Sequence, residues 1–69
     1  MSFKGARMLA NLTQEQVAMS LGLSRSTVSM WESGKSKPRI EKLVALARVY
    51  NCTLDDLLKE DEETQHKAG

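Results

Sequence analysis

Apolar residues recur along this chain in short bursts at three- and four-residue spacings, and most bursts open on a hydroxyl residue. Set at roughly 100° per residue, Phe3, Ala6 and Ala10 fall on one side of a helix, as do Val17, Ala18 and Leu21, and again Val28 and Trp31. A fourth burst, Ile40, Leu43, Val44, Leu46, Ala47 and Tyr50, covers a wide face and predicts a core helix. Thr13 with Gln16 three residues on is a capping box, Ser24 stands just before the run to Trp31, and Thr53 precedes Asp55 and Asp56. A hydroxyl at such a position accepts from a free amide of the first turn, and carboxylates there suit the positive end of the helix dipole. Gly22, Gly34 and Pro38 fall between bursts, whereas Gly5 falls inside the first and weakens it. The pattern predicts helices over about 2–10, 14–21, 25–32, 40–49 and 54–59. No stretch alternates with the period of two that a strand requires. The expected fold is therefore all-α, a compact five-helix bundle in one domain over 1–59. The polar stretch 60–69, EDEETQHKAG, lacks apolar periodicity and is expected to fray or stay disordered.

Size and composition narrow the class. A chain of 69 residues has room for a single small core. Its 41% hydrophobic and 28% charged content suits a folded soluble domain and excludes a disordered one. No apolar run approaches membrane length, and no cleavable leader is evident, so the expected location is the cytoplasm. Cys52 is a lone cysteine, and with His66 it offers too few ligands for zinc, so neither disulfide, metal nor cofactor is expected. The one histidine, His66, falls in the stretch expected to fray, so no Ser/His/Asp or Cys/His set is available, and the carboxylates show no paired arrangement, which argues against an enzyme.

Net charge is only +1, but it is segregated. Residues 1–52 carry eight basic side chains (Lys4, Arg7, Arg25, Lys35, Lys37, Arg39, Lys42, Arg48) against three acidic ones (Glu15, Glu32, Glu41). From Thr53 onward two basic residues face six acidic ones. A basic body with an acidic tail suits a polyanionic partner, although a solvated surface carries such charges equally well.

The segment from Gln14 to Gly34, QEQVAMSLGLSRSTVSMWESG, is the most informative. Two helices of about eight residues joined by a turn of about three have the dimensions of a helix-turn-helix. Gly22 suits the left-handed conformation that reverses the chain after Leu21. The small side chain of Ala18 lets the two helices cross closely. Opposite the apolar side of the second helix lie Ser26, Ser29, Met30 and Ser33, with Arg25 in its first turn. Short hydroxyls and one arginine suit entry into a DNA major groove, because bulkier groups would hold a helix off the base edges. A plain solvated face would favour Glu and Lys instead.

Two charges fall on inward faces: Arg7 inside the Phe3, Ala6, Ala10 stripe, and Glu32 one turn beyond Val28. Isolated buried charges are costly, so the two are expected to meet as an ion pair tying the first helix to the end of the third.

These residues together resemble the Cro/C1-type helix-turn-helix proteins, the xenobiotic response element family that includes phage repressors and restriction-modification controller proteins. The likeness rests on Arg7, T-Q-x-x-V-A at Thr13 to Ala18, Leu21 with Gly22, S-R-S-T-V-S-M-W-E at Ser24 to Glu32, Gly34, Pro38, Leu43, Ala47 and Leu54 to Leu58. It implies a lambda-repressor-like five-helix domain whose second and third helices bind DNA. Carried over by position, it implies base contacts from Arg25, Ser26, Ser29 and Met30, and phosphate contacts from Gln14 and the loop bearing Lys35, Lys37 and Arg39. Chemistry agrees: an arginine can take both acceptors of guanine, a thioether can pack on a thymine methyl, and loop cations neutralise phosphates without reading sequence. The chain lacks the amide side chains that many relatives carry on this face. Relatives pair through the loop before the fifth helix and through that helix, which points to Cys52, Leu54 and Leu58, while Cys52 reads equally as a small, partly buried side chain.

The resulting expectation is a transcriptional regulator, in the first instance a repressor, binding a palindromic double-stranded operator as a homodimer in a bacterial or phage setting. A reading domain from a longer repressor or antitoxin fits the same residues. A protein-interaction module that kept the fold and lost DNA binding is the reading from a different class.

Overall fold

A computed structural model describes residues 2–58; the expected tail at 60–69 lies outside them. Five helices follow in order: α1 (Phe3–Leu9), α2 (Gln14–Leu21), α3 (Arg25–Ser33), α4 (Ile40–Val49) and α5 (Leu54–Leu58), with no strand among the described residues. The fold is the all-α five-helix bundle that the periodicity predicts.

The starts are set by hydroxyls. Ser2 Oγ accepts from the Gly5 amide at 2.9 Å, and Thr13 and Gln16 form the reciprocal capping box. Ser24 accepts from Thr27, and Thr53 accepts from Asp56 at 3.0 Å. Gly5 does not interrupt α1, and a Cβ there would sit 3.0 Å from Ser2 Oγ, in the space of the capping hydroxyl. α4 alone among the first four starts without a side-chain cap, on Arg39.

The ends share one device. After α2 the Leu23 amide donates to the Ala18 carbonyl at 2.8 Å across left-handed Gly22, and after α3 the Lys35 amide donates to Met30 at 3.0 Å across left-handed Gly34. The same wrap closes α1, where Leu12 donates to Arg7 across Asn11, and α4, where Cys52 donates to Ala47 across Asn51. Asparagine is the non-glycine residue that best tolerates this conformation. In three of these turns the residue just beyond the left-handed one is apolar, and Leu12, Leu23 and Cys52 all pack against the core. The turns thus end helices and contribute to packing at once.

Ala6, Val17, Ala18, Val28, Trp31, Leu46, Ala47, Tyr50 and Leu57 form the buried core, with Phe3, Leu12, Leu21 and Leu43 around it. Ala18, the small residue on the inward side of α2, is almost fully covered. The expectation that the whole apolar face of α4 is core needs correction. Ile40 is 60% exposed and Val44 40% exposed, because a helix of three turns offers one stripe to its neighbours and Leu43, Leu46, Ala47 and Tyr50 fill it. No helix among the described residues is long and apolar enough to cross a membrane.

Candidate nucleic-acid interface

α3 stands with Val28 and Trp31 sunk into the core, and this fixes which side it shows to solvent. A helix is a rigid rod, so burying those two turns Arg25, Ser26, Ser29, Met30 and Ser33 outward, and all five are exposed. Met30 is the bulkiest apolar group on this side. Ser33 Oγ folds back onto the Met30 carbonyl at 3.2 Å, so the end of the face stays low.

Beside that face the chain turns through residues 34–39. The Met30 carbonyl accepts from both Lys35 and Ser36, pinning the start of the loop to the end of α3. Lys35, Lys37 and Arg39 are all exposed, and Arg39 sits at the uncapped amino end of α4. The loop that carries the three cations therefore leaves directly from the carboxy-terminal end of the exposed helix. Lys37 also borders a cleft with Phe3, Trp31, Pro38 and Leu58.

At the other end of α3 an open cleft runs between α1, α2 and α3, lined by Lys4, Arg7, Thr13, Gln14, Arg25 and Glu32. Arg7 and Glu32 meet here as an ion pair: Arg7 Nε donates to Glu32 Oε2 at 2.6 Å and Nη2 to Oε1 at 3.1 Å. Their side chains are only 12% and 6% exposed, so water screens the pair poorly. The hydrogen bond to Glu32 holds the Arg7 guanidinium above its ordinary range, against the opposing effect of burial. Arg7 Nη1 donates to the Leu12 carbonyl at 2.9 Å, so one side chain joins α1, the turn before α2 and the end of α3.

Gln14, expected to meet phosphate, has its side-chain amide engaged within the chain. Nε2 donates to Glu32 Oε1 at 3.0 Å, and Oε1 accepts from Arg25 Nε at 3.3 Å. One Nε2 hydrogen and the backbone N–H at the first position of α2 remain for an external acceptor. Sequence reasoning missed this link, because neither spacing nor periodicity shows that position 14 stands between positions 25 and 32. It also left out Lys4, one turn before Arg7, on the same cleft.

The three residues expected at a pairing surface are placed differently from one another. Leu58 is 55% exposed, Leu54 is half-buried, and Cys52 packs on the core as the residue that closes the α4 turn. Cys52 borders a cleft with Leu9, Ala10 and Asp56, whereas Leu58 borders the cleft near Lys37. Burial, and secondarily Asp56, push the Cys52 thiol up from its usual range. Among the described residues no cluster of His, Cys, Asp and Glu could hold a metal.

Two short helices joined by a tight turn at left-handed Gly22, with the second exposed along a hydroxyl-bearing side, define a helix-turn-helix domain. The helix-turn-helix family model matches residues 3–57. The chain is 46% identical over 64 residues to the HTH-type transcriptional activator BcrR of Enterococcus faecalis, covering 86% of this chain and 31% of that protein. It is 38% identical to an HTH-type transcriptional regulator of Archaeoglobus fulgidus, covering 77% of this chain and 75% of the other. It is 30% identical to the cryptic phage CTXphi transcriptional repressor RstR of Vibrio cholerae, covering 81% of this chain and half of that protein. No solved structure matches the chain significantly. The chain belongs to the Cro/C1-type helix-turn-helix family, and it spans about a third of the Enterococcus relative.

Proposed function

We propose that this chain is the DNA-binding part of a transcriptional regulator, laying α3 in the major groove of a double-stranded operator. The observation that carries the reading is the continuity of the exposed α3 face with the cations of residues 34–39. A rod with short side chains can approach base edges, and cations at its end meet the phosphates that flank the groove. In this reading Arg25, Ser26, Ser29 and Met30 contact bases. Lys35, Lys37 and Arg39 contact phosphates, joined by Gln14 through its remaining donors and by the uncapped amides of α4. Arg25 has Nε on Gln14, and its two terminal nitrogens, which take no hydrogen bond among the described residues, suit the two acceptors of guanine.

The regulator binds as a homodimer on a palindromic site. Leu58 is the exposed member of the expected pairing set, and a domain this small gains specificity by covering two half-sites about 34 Å apart. Repression is the mode we assign; relatives carry names of both kinds, activator and repressor. Selection of bound duplexes from a random pool tests the whole reading. A two-fold symmetric consensus is expected. Recovery of no enriched sequence, with no mobility shift on random duplex at low salt, would instead favour the protein-interaction reading.

A further inference from the structure

Arg7, Glu32, Gln14 and Arg25 form one unbroken hydrogen-bonded chain from the buried junction of α1 and α3 to the exposed face of α3. Glu32 is gripped through both oxygens by Arg7, and Glu32 Oε1 also accepts from Gln14 Nε2 at 3.0 Å. Gln14 Oε1 then accepts from Arg25 Nε at 3.3 Å. An amide has a donor end and an acceptor end, and here both neighbours demand the same orientation. A carboxylate only accepts and a guanidinium only donates. Turned over, the amide would set oxygen against carboxylate and donor against donor, so Gln14 has a single orientation. A charged partner stands at each end of the amide, and each bond polarises the next.

We infer that Glu32 is a positioning residue for DNA readout: acting through Gln14, it decides which edge of the Arg25 guanidinium faces the groove. A guanidinium can offer two parallel donors from its side, Nε with one terminal nitrogen, or from its end, the two terminal nitrogens together. Holding Nε on Gln14 removes the side edge and leaves the end. Arg25 is exposed, and a long exposed side chain held by nothing would sample both edges and lose that freedom on binding. Glu32 can serve as the anchor because its own place is fixed by Arg7, whose third donor is on the Leu12 carbonyl. The inference rests on the DNA-binding reading of α3 and adds to it the group that aims its arginine.

The test compares the full chain with its Glu32→Gln, Gln14→Met, double and Arg25→Met variants by two measurements. Without DNA, the Arg25 Nε–H resonance in nitrogen-15 NMR is expected to stand apart from those of exposed Arg39 and Arg48, and to move toward them in both single variants. With DNA, affinity is measured on duplexes that differ by one base pair at a time from the sequence the unmodified chain selects. At the base pair whose discrimination Arg25→Met abolishes, each single variant is expected to lose about tenfold discrimination. The double variant should lose no more, because the two residues act in series. A merely structural Glu32 would instead lower affinity evenly across the panel. Gln14→Met keeps the Arg7–Glu32 pair and with it the fold; unchanged discrimination in that variant overturns the inference. A chain that binds no duplex overturns the DNA-binding reading and the readout role together, and the resonance then reports separately whether Glu32 holds Arg25.

Discussion

Asn11 and Asn51, in the turns after α1 and α4, hold the same left-handed backbone conformation, with φ of 61° and 57°. Each lets the residue after it, Leu12 or Cys52, reach back to a carbonyl of the helix it ends and pack on the core. The two asparagines do what Gly22 and Gly34 do, but with a side chain that must be accommodated at positive φ.

Replacing either asparagine by glycine is therefore expected to be neutral or mildly stabilising, and replacing it by alanine to cost about 1 kcal/mol. Gly22→Ala should cost about 1 kcal/mol through strain alone, since a Cβ there meets nothing within 4 Å. Chemical denaturation of the five variants checks this. An alanine at position 11 that left stability untouched would count against the left-handed turn.

Breaking the Arg7–Glu32 pair leaves one buried charge without its partner. Glu32→Gln or Arg7→Met should lower stability by about 3 kcal/mol, a large share of what a domain this small possesses. Thermal melts followed by circular dichroism measure it. Melting temperatures equal to that of the unmodified chain would mean the contact contributes nothing.

Tyr50 gives the fold an alkaline limit. It is buried, and burial, followed by the nearby Glu32 carboxylate, pushes its hydroxyl up to about 12. The unfolded chain releases that proton near pH 10, so the stabilisation is complete below about 10 and is lost as pH rises toward 12. The loss is on the order of 2 kcal/mol. Stability against pH should fall over that window, and Tyr50→Phe should flatten the fall; an equally steep decline in the variant would assign it to other groups.

The loop cations and the α3 face should separate by their salt and sequence dependence. Lys35→Ala is expected to weaken binding to every duplex alike and to reduce the salt slope by about one. Arg25→Met should relax preference at one base pair, by about 1–3 kcal/mol of discrimination. Binding isotherms at several salt concentrations on matched and mismatched duplexes resolve the two. A change of base preference in the Lys35 variant would contradict its place among the phosphate contacts.

Much of this molecule was legible from residue order because its determinants are local. Thr13, Ser24 and Thr53 mark helix starts, Gly22 and Gly34 mark ends, and Val28 with Trp31 turns the α3 face outward whatever lies beneath. Asn11 and Asn51 were overlooked because asparagine is common in loops of every kind, and only the backbone angle shows which ones end a helix. The apolar face of α4 was read too widely for a different reason: periodicity gives the direction of a stripe, while its width is set by how many neighbours arrive. Ile40 and Val44 are left exposed by the neighbours among the described residues.

By itself, then, the order of residues determined five helices, the outward side of α3 and the inward aim of Arg7 and Glu32, since each follows from interactions within a turn or two or from the cost of burying a lone charge. Only the tertiary structure decided that Gln14 stands between Glu32 and Arg25, and that Cys52 and Leu58 face different clefts. Those relations depend on how helices distant in sequence cross, and crossing is settled by the packing of the whole core at once.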